Sequence, residues 1–282
     1  MAFAGFDLLS YPGDDTMQWI KSNTNISFVG FYLAPAPSRP NSDWMGNYRV
    51  LADQGWGFAP IYVGQQELGQ PGSHNLTGEQ GTIDGRSATD LMFQAGFPPN
   101  SIVYLDCEQG GPASNATLEY VGAWVDAVRL SVNTYAPGIY CSYTTVASLL
   151  AIRPDIPAWV WHITNPAQGA IFPTPDPAAS GCLQATVWQY FQKTDVTFDG
   201  APNPDLTVDL DSASTRDPSK AAIAQPFTSS GRRRKKSAAK KRKATKIKAK
   251  KAPSKRKASK AKTKKTANKK PKARKTKRSV RK

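Results

Sequence analysis

Cysteine and histidine are scarce in this sequence of 282 residues. The three cysteines, Cys107, Cys141 and Cys182, are odd in number and far apart, which argues against a disulfide framework and against a C-x-x-C metal site. The two histidines, His74 and His162, are too few for a histidine-rich metal centre. No apolar run reaches the ~20 residues that a membrane-spanning helix requires. We therefore predict neither a metal site nor a transmembrane segment.

Acidic residues are absent from the C-terminal part of the chain. All 21 lie at or before Asp217, and the first 231 residues carry only nine basic residues, which gives them a net charge of −12. From Arg232 to Lys282 there are 29 basic residues and no acid. Because this segment holds almost no apolar residues, it cannot bury enough surface to offset the entropy lost on ordering. We predict a globular domain at 1–216, a linker at 217–231 and a disordered basic tail at 232–282.

The N-terminal segment lacks the features of a secretory signal peptide. Residues 1–7 contain no basic residue, and they lead into a predicted strand without a long apolar segment. We expect cytoplasmic synthesis, followed either by association with nucleic acid or by release to the cell wall without a leader. A monomer is the expected state.

Short apolar runs alternate with helical patterns through the first 211 residues, which is typical of repeated β-α units. The clearest helix contains Leu118, Val121, Val125 and Val128, which recur on one face of a 3.6-residue period. The other predicted helices lie near Asp15–Ser22, Trp44–Gln54, Gly85–Ala95 and Thr144–Leu150, and a proline-rich loop is predicted at Asn165–Ala179. The predicted strands are Phe3–Leu8, Ser27–Leu33, Phe58–Gly64, Ser101–Glu108, Gly138–Ser142, Ala158–Ile163, Ala185–Tyr190 and Leu206–Asp211.

Eight strands with mostly helical connections predict an α/β fold, a (β/α)8 TIM-like barrel with one or two helices missing. An open doubly wound sheet is the alternative. No G-x-G-x-x-G or G-x-x-x-x-G-K-[ST] motif follows any of the strands, so the usual nucleotide-binding loops are not expected and no cofactor is predicted.

The fourth predicted strand ends in two carboxylates. Side chains alternate along a strand, so Tyr104, Asp106 and Glu108 share one face, which points inward in a barrel. Asp106 and Glu108 then emerge at the C-terminal end of the strand, where barrel enzymes carry their chemistry. Two carboxylates this close cannot both ionise freely, and the one with the raised pKa can act as the general acid of glycosidic cleavage. The alternative is that Asp106 and Glu108 begin a solvated loop.

Two further aspartates are expected beside this pair. Asp7 ends the first strand and Asp209 lies in the last, and these strands are neighbours in a closed barrel. We expect both to converge with Asp106 and Glu108 at the C-terminal ends of their strands. Alternatively, Asp7 or Asp209 caps a following turn.

Several segments, taken together, resemble a single family. They are Gly5–Asp7, Phe28–Leu33, Gly57–Gln66, Asp84–Gly85, Val103–Glu108, Pro137–Ser142 and Val187–Tyr190. The combination resembles the glycoside-hydrolase-like domain of actinobacterial and fungal proteins, which is related to the family 25 lysozymes, or muramidases, that cleave peptidoglycan. The resemblance extends from Phe3 to Ser212 and implies a TIM-like barrel.

The resemblance also implies roles for the four carboxylates. Glu108 would be the general acid, and Asp106 would orient or stabilise the N-acetyl group of the substrate. Asp7 matches the strand-one aspartate and Asp209 the aspartate of the final V-D-x-[DN], and both would tune the pair. The first strand and the long loop Gln65–Thr82 depart from the lysozyme pattern, so the alternative is a carbohydrate-binding barrel that does not cleave.

Aromatic and amide side chains near the strand ends are candidates for binding the sugar. Flat rings can stack on sugar faces, while core packing is the alternative for each ring. The candidates are Tyr32, Tyr62, Tyr140, Trp161 and Tyr190, together with Gln189 from the last of the segments above.

The basic tail resembles the C-terminal tails of linker histones and of some bacterial nucleoid proteins. Each Lys or Arg that neutralises a phosphate releases a counterion, so the tail is predicted to bind a polyanion such as DNA, RNA or an anionic wall polymer. It has no aromatic residue for base stacking. Three functions follow: a muramidase-type hydrolase held on a polyanion by its tail, a non-catalytic carbohydrate-binding barrel, and a nucleic-acid-associated protein that acts through the tail.

Overall fold

Strands and helices alternate along most of the chain. A computed structural model describes residues 1–40, 43–164 and 172–221. The strands are β1 (Phe3–Asp7), β2 (Ile26–Tyr32), β3 (Gly57–Val63), β4 (Ile102–Cys107), β5 (Ala136–Ser142), β6 (Ala158–Trp161), β7 (Ala185–Thr197) and β8 (Asp205–Ala213). The α-helices are α1 (Asp14–Asn23), α2 (Tyr48–Asp53), α3 (Gly78–Ala95), α4 (Asn115–Arg129) and α5 (Val146–Ile152), and short 3-10 helices span Pro177–Ser180 and Pro218–Lys220.

The eight strands close into one barrel in chain order, from β1 to β8. This confirms the α/β barrel and excludes the open sheet. The pairs from β1–β2 to β6–β7 are parallel, whereas β8 is antiparallel to both of its neighbours, β7 and β1. A hairpin therefore joins β7 to β8 in place of a helix. Between β6 and β7 the described residues contain no α-helix, only the 3-10 turn at Pro177–Ser180.

The direction of β8 differs from that of a wholly parallel barrel, which predicts Asp209 at the C-terminal end of its strand. Instead it lies in the middle of β8, where its Cα is paired with that of Asp7. Because the hairpin reverses the chain, the N-terminal half of β8 rises to the barrel end at which β1 finishes.

All five predicted helices are present, two of them with a shifted start. α3 begins at Gly78 because the side chain of Thr77 accepts a hydrogen bond from the backbone N–H of Gln80 and so caps the helix. α2 begins at Tyr48 and not at Trp44, whose ring is buried and whose Nε1 donates to the carbonyl oxygen of Leu8 at 3.2 Å. Of the predicted loop Asn165–Ala179, residues 165–171 lie outside the described part.

Aromatic rings fill the barrel interior below the mouth. Tyr104 and Tyr140 both meet Trp159 edge to face, with ring centroids 5.8 and 5.0 Å apart respectively. The alternation predicted for β4 places Tyr104 and Asp106 inward, while Val103 and Leu105 pack on the outer side. These ring contacts fill part of the barrel interior below its mouth.

The folded domain continues past the predicted boundary at residue 216. Asp217 accepts a hydrogen bond from the backbone N–H of Phe58 at 3.1 Å, and Ser219 and Ala221 are buried. The 3-10 turn of Pro218–Lys220 follows, with its Pro218 carbonyl accepting a bond from Tyr104 Oη at 3.3 Å. These contacts hold the chain against the barrel as far as Ala221. In the described part of the chain, no helix combines the length and the apolarity needed to cross a membrane.

Candidate functional site

A cleft of about 730 Å³ opens at the end of the barrel where the parallel strands finish. Its walls come from the segment after β1, from β2, β3 and β4, and from the β7–β8 hairpin. Four carboxylate side chains singled out in the sequence line this one cleft: Asp7, Asp106, Glu108 and Asp209. The structure thus brings together residues that are up to 202 positions apart in the sequence.

Asp7 ends β1 on the inner face and is almost wholly buried. Its Oδ1 accepts a hydrogen bond of 2.6 Å from Tyr32 Oη at the end of β2. The adjacent position on β2 is Gly30, where an added Cβ would lie 2.4 Å from the Cβ of Asp7. Glycine at this position is therefore what allows the carboxylate of Asp7 to face the cleft.

The D-x-E pair divides into one buried and one open carboxylate. Asp106 is buried at the end of β4, whereas Glu108, just past the strand, is exposed to the cleft. Gln66 holds the backbone between them, because its Nε2 donates to the Asp106 carbonyl at 3.1 Å and its Oε1 accepts from the Glu108 N–H at 3.0 Å. This clamp fixes the direction in which Glu108 leaves the strand.

Both carboxylate oxygens of Asp209 accept hydrogen bonds, which fix the orientation of the side chain. Gln189 Nε2 donates to Oδ2 at 2.9 Å, and Tyr140 Oη in turn donates to Gln189 Oε1 at 2.6 Å. The backbone N–H of Lys193 donates to Oδ1 at 2.6 Å. Lys193 lies where the β7–β8 register is irregular, and its φ of 50° is in the left-handed region, which is uncommon for a residue other than glycine.

Burial and mutual repulsion raise the pKa values of the buried carboxyl groups above their ordinary range. Burial raises the pKa of Asp7 to about 8, with further contributions from the negative charges of Asp209 and Glu108, while the hydrogen bond from Tyr32 opposes the shift. Burial likewise raises the pKa of Asp106 well above its usual value, and the charges of Glu108 and Asp7 add to it.

Glu108 combines access to solvent with a raised pKa. The pKa rises first because neighbouring atoms displace water from around the carboxyl group, and second because of the charge of Asp209; the ammonium group of Lys193 opposes it. A carboxyl group that is open to a cleft and retains its proton can donate that proton to a bound molecule. In the described residues, no group of three or more His, Cys, Asp or Glu side chains is arranged to hold a metal ion.

The six side chains proposed to bind sugar occupy three different places. Tyr32 lines the cleft, while Tyr140 and Gln189 are buried beneath it and orient Asp209. Trp161 is half-buried at the end of β6 and is not among the described residues that line the cleft.

Two of those six side chains lie outside the barrel wall and cannot reach a sugar in the cleft. Tyr62 stacks in a tilted arrangement on Trp124 of α4, at a centroid distance of 6.4 Å. Tyr190 donates its hydroxyl to the carbonyl oxygen of Pro173 at 2.9 Å. Both are buried, so the core-packing alternative applies to them.

Four residues of the site were not singled out from the sequence. Gln66 belongs to a segment that carried the family resemblance, and Asp211 shares the inner face with Asp209 because it is two residues further along β8. Arg39 lines the cleft with its guanidinium group 4.3 Å from the ring centroid of Tyr32. Lys193 had no sequence signal, since it depends on an irregularity in strand register.

Comparison with family models identifies the domain. The model described as "Rv2525c-like, glycoside hydrolase-like domain" matches residues 18–225, well over half of the chain. The chain belongs to this family. The match confirms the resemblance seen in the sequence, and it includes Asp106, Glu108 and Asp209, whereas Asp7 lies before the first matched residue.

Solved structures similar to this member of the Rv2525c-like family show the same fold at low identity. An uncharacterized protein of B. stearothermophilus is 22% identical over 76% of this chain and 97% of its own, with a TM-score of 0.52. A family 25 glycosyl hydrolase from Bacillus anthracis is 12% identical over 76% of this chain and 89% of its own, with a TM-score of 0.51. A lysozyme from Streptomyces coelicolor is 14% identical over 76% of this chain and 92% of its own, also with a TM-score of 0.51. No curated protein sequence matches the chain.

Proposed function

We propose that the cleft binds a peptidoglycan-like, N-acetylated glycan and hydrolyses its glycosidic bond, with Glu108 as the general acid. The observation that carries the proposal is the contrast within one cleft: Glu108 is open to solvent, while Asp7 and Asp106 beside it are buried. Two carboxyl groups in unlike surroundings are what acid-assisted cleavage of a glycosidic bond requires.

In this proposal each carboxyl group has its own role. Glu108 gives its proton to the glycosidic oxygen as the bond from that oxygen to the anomeric carbon breaks. Water supplies the hydroxyl group that the anomeric carbon gains, and the remaining proton of that water returns to Glu108. Asp106 orients the N-acetyl group of the sugar. Asp7 and Asp209 tune this pair: the charge of Asp209 raises the pKa of Glu108, and Asp7, once it ionises near pH 8, raises the pKa of Asp106.

The named activities of similar structures support the same class of substrate. The proteins from B. anthracis and S. coelicolor are described as a family 25 glycosyl hydrolase and a lysozyme. At 12% and 14% identity they share the fold with this chain, and the assignment of a substrate rests on the cleft. A carbohydrate-binding barrel that does not cleave is the competing proposal, because the same cleft can hold a sugar without transferring a proton.

The proposal is tested by release of soluble fragments from purified peptidoglycan. Wild type should release fragments and Glu108→Gln should not, because the amide has no acidic proton to give. Glu119→Gln is the matched control, since Glu119 is exposed in α4 and is not among the residues lining the cleft. Binding of the same glycan by wild type and Glu108→Gln, measured in parallel, identifies the competing proposal if both bind and neither releases fragments.

We also propose that the basic segment from Arg232 to Lys282 binds polyanions independently of the barrel. The observation that favours it is the charge of the segment, with 29 basic residues and no acid. Such a segment binds through release of counterions, and without an aromatic residue it cannot stack on bases. These residues lie outside the described part of the structure, so the proposal rests on the sequence.

A further inference from the structure

Asp84 is a buried residue of helix α3 and is not among the described residues that line the cleft. Its two carboxylate oxygens accept three hydrogen bonds, from Gln80 Nε2 at 2.7 Å, from Tyr120 Oη at 2.7 Å and from Gln65 Nε2 at 3.3 Å. No lysine or arginine of the described residues forms an ion pair with it. Burying a carboxyl group without a cation is costly unless hydrogen bonds satisfy it, so these three contacts are what keep Asp84 in place.

Two of these hydrogen bonds lead to Gln65, in the turn after β3. The side-chain amide of Gln65 donates to Asp84 directly, and the backbone N–H of Gln65 donates at 3.1 Å to Tyr120 Oη, the hydroxyl group that itself donates to Asp84. Gln65 Oε1 in turn accepts from the backbone N–H of Asn75 at 2.9 Å. The side chain and the backbone of Gln65 are therefore both held in place.

The segment Asp84–Gly85, one of those that carried the family resemblance, accounts for how α3 meets α4. A Cβ added at Gly85 would lie 2.7 Å from the carbonyl oxygen of Trp124 on α4. Glycine at this position lets the two helices approach closely. The close approach brings Tyr120 of α4 within hydrogen-bond distance of the carboxylate next to Gly85.

Gln66 continues this set of contacts to the cleft. It is buried, and its side chain bridges the carbonyl oxygen of Asp106 and the backbone N–H of Glu108. Because Gln66 follows Gln65 directly, a fixed Gln65 fixes the point from which the side chain of Gln66 reaches the end of β4. Hydrogen bonds and one peptide bond thus connect Asp84 to the backbone of Glu108.

We propose that Asp84 is a positioning residue for Glu108: it holds Gln65, and through Gln65 it holds Gln66, whose side chain sets the direction in which Glu108 enters the cleft. The catalytic consequence rests on the proposed function, whereas the positioning is a property of the folded chain. The positioning can therefore be tested without turnover.

The test is a double-mutant cycle read by carboxyl-carbon NMR titration of Glu108 in the full-length chain. The proteins are wild type, Asp84→Asn, Gln66→Met and the double variant. An asparagine has only one acceptor oxygen and cannot take all three hydrogen bonds, and methionine lacks the amide that bridges the end of β4.

In both single variants we expect the pKa of Glu108 to fall towards its ordinary value, because a carboxyl group that is no longer positioned turns towards water and loses the effect of burial. The double variant should match Gln66→Met, because both substitutions act through the same contact. A titration of Glu108 that is unchanged in Asp84→Asn, or a shift in the double variant equal to the sum of the single shifts, would overturn the proposal.

The groups that face Glu108 across the cleft keep their identity in all of these variants. The charged and titratable ones are Asp7 on β1, Tyr32 on β2, Arg39 after β2, Asp106 on β4, Tyr140 on β5, Lys193 on β7 and Asp209 on β8. A shift in the titration of Glu108 therefore reports a change in its position.

Thr89→Val is the matched control. Thr89 is likewise a buried polar residue of α3, but its Oγ1 donates to the carbonyl oxygen of Arg86 at 2.8 Å. This control should leave the titration of Glu108 unchanged, and a shift equal to that of Asp84→Asn would mean that any loosening of α3 moves Glu108, which would contradict the proposal. If Asp84→Asn does not fold, Tyr120→Phe takes its place in the cycle with the same expected result, since it removes only the hydroxyl group between Asp84 and Gln65.

Fragment release from peptidoglycan gives the second readout. Asp84→Asn should lower kcat by roughly 10- to 100-fold with little change in KM, the effect of misplacing a reacting group by about 1 Å, and Thr89→Val should keep most of the wild-type kcat. Equal loss of kcat in Asp84→Asn and Thr89→Val would contradict the proposal. If wild type releases nothing, the proposed hydrolysis fails while the titration of Glu108 still decides the positioning.

Discussion

Asp7 and Glu108 carry the same functional group in different surroundings. Asp7 is packed against Gly30, Tyr32 and the strand β8, and burial raises its pKa to about 8. Glu108 follows the strand with its side chain open to the cleft, and Gln66 Oε1 accepts a hydrogen bond from its backbone N–H. In our proposal, this difference in surroundings separates Asp7, which tunes the charge of the cleft, from Glu108, which delivers a proton.

The titration of Asp7 makes the stability of the domain depend on pH. The folded state keeps the Asp7 proton up to about pH 8, whereas the unfolded chain loses it near its ordinary pKa of 3.8. The folded state therefore binds more protons between these two values, and the free energy of unfolding falls as pH rises through the window. Asp106, Glu108, Asp209 and Asp211 act with the same sign, because their pKa values are raised as well.

We expect Asp7→Asn to reduce the dependence of the free energy of unfolding on pH, because the variant has one fewer proton to lose on unfolding. The measurement is the free energy of unfolding in urea at about pH 5 and at about pH 8 for wild type and the variant. Asp90→Asn is the control, since Asp90 is exposed on α3. The same pH dependence in wild type and Asp7→Asn would contradict the assignment of the raised pKa.

The strands and most of their order could be predicted from sequence because apolar periodicity and the spacing of β-α units are local signals. The reversal of β8 could not, since a strand has the same pattern in either direction and only the hairpin at Thr197 and Asp205 decides it. Side chains alternate along a strand, so Gln189 and Tyr190 point to opposite faces of β7. Once Gln189 is placed on the inner face, the sequence therefore predicts that Tyr190 points away from the cleft. The place of Lys193 depends on a register shift that leaves no trace in composition.

The close packing of β2 against β1 at Gly30 is expected to fix the position of Asp7, and a substitution at Gly30 tests this. We expect Gly30→Ala to destabilise the domain by about 1–3 kcal/mol, the usual cost of overpacking a filled core, because the new Cβ would lie 2.4 Å from the Cβ of Asp7. Gly110→Ala is the matched control, since a Cβ there has no neighbour within 4 Å. Urea unfolding of both variants gives the comparison, and equal stability would show that the strands do not hold Asp7 in this way.

The chain as a whole consists of an acidic domain followed by a basic segment. Residues 1–231 carry a net charge of −12, and residues 232–282 contain 29 basic residues and no acidic residue. The charges of the two parts serve different ligands in our proposal: the carboxyl groups of the cleft act on a glycan, and the basic segment holds a polyanion. The overall net charge of +17 describes neither part.

We expect truncation after Ser230 to leave the melting temperature unchanged and to remove most of the affinity for DNA. The truncated chain keeps the described contacts of Asp217, Ser219 and Ala221 with the barrel and loses all 29 basic residues of the C-terminal segment. The full-length chain should bind DNA with a logarithmic salt slope of about −0.9 for each phosphate neutralised. The measurements are thermal unfolding and DNA titration at several salt concentrations, for both chains. A truncated chain that fails to fold, or that binds DNA as tightly as the full chain, would refute this modular organisation.

The chemistry of the glycan ends shows directly whether the cleft cleaves peptidoglycan as a muramidase. Peptidoglycan treated with wild type or with Glu108→Gln is reduced with borohydride and digested, and its sugar alcohols are analysed by mass spectrometry. If the cleft cleaves as a muramidase with Glu108 as the acid, wild type should create new reduced muramic acid ends and Glu108→Gln should create none. New ends in equal amount from both proteins would contradict the role of Glu108 as the acid, and no new ends from wild type would contradict cleavage by this cleft.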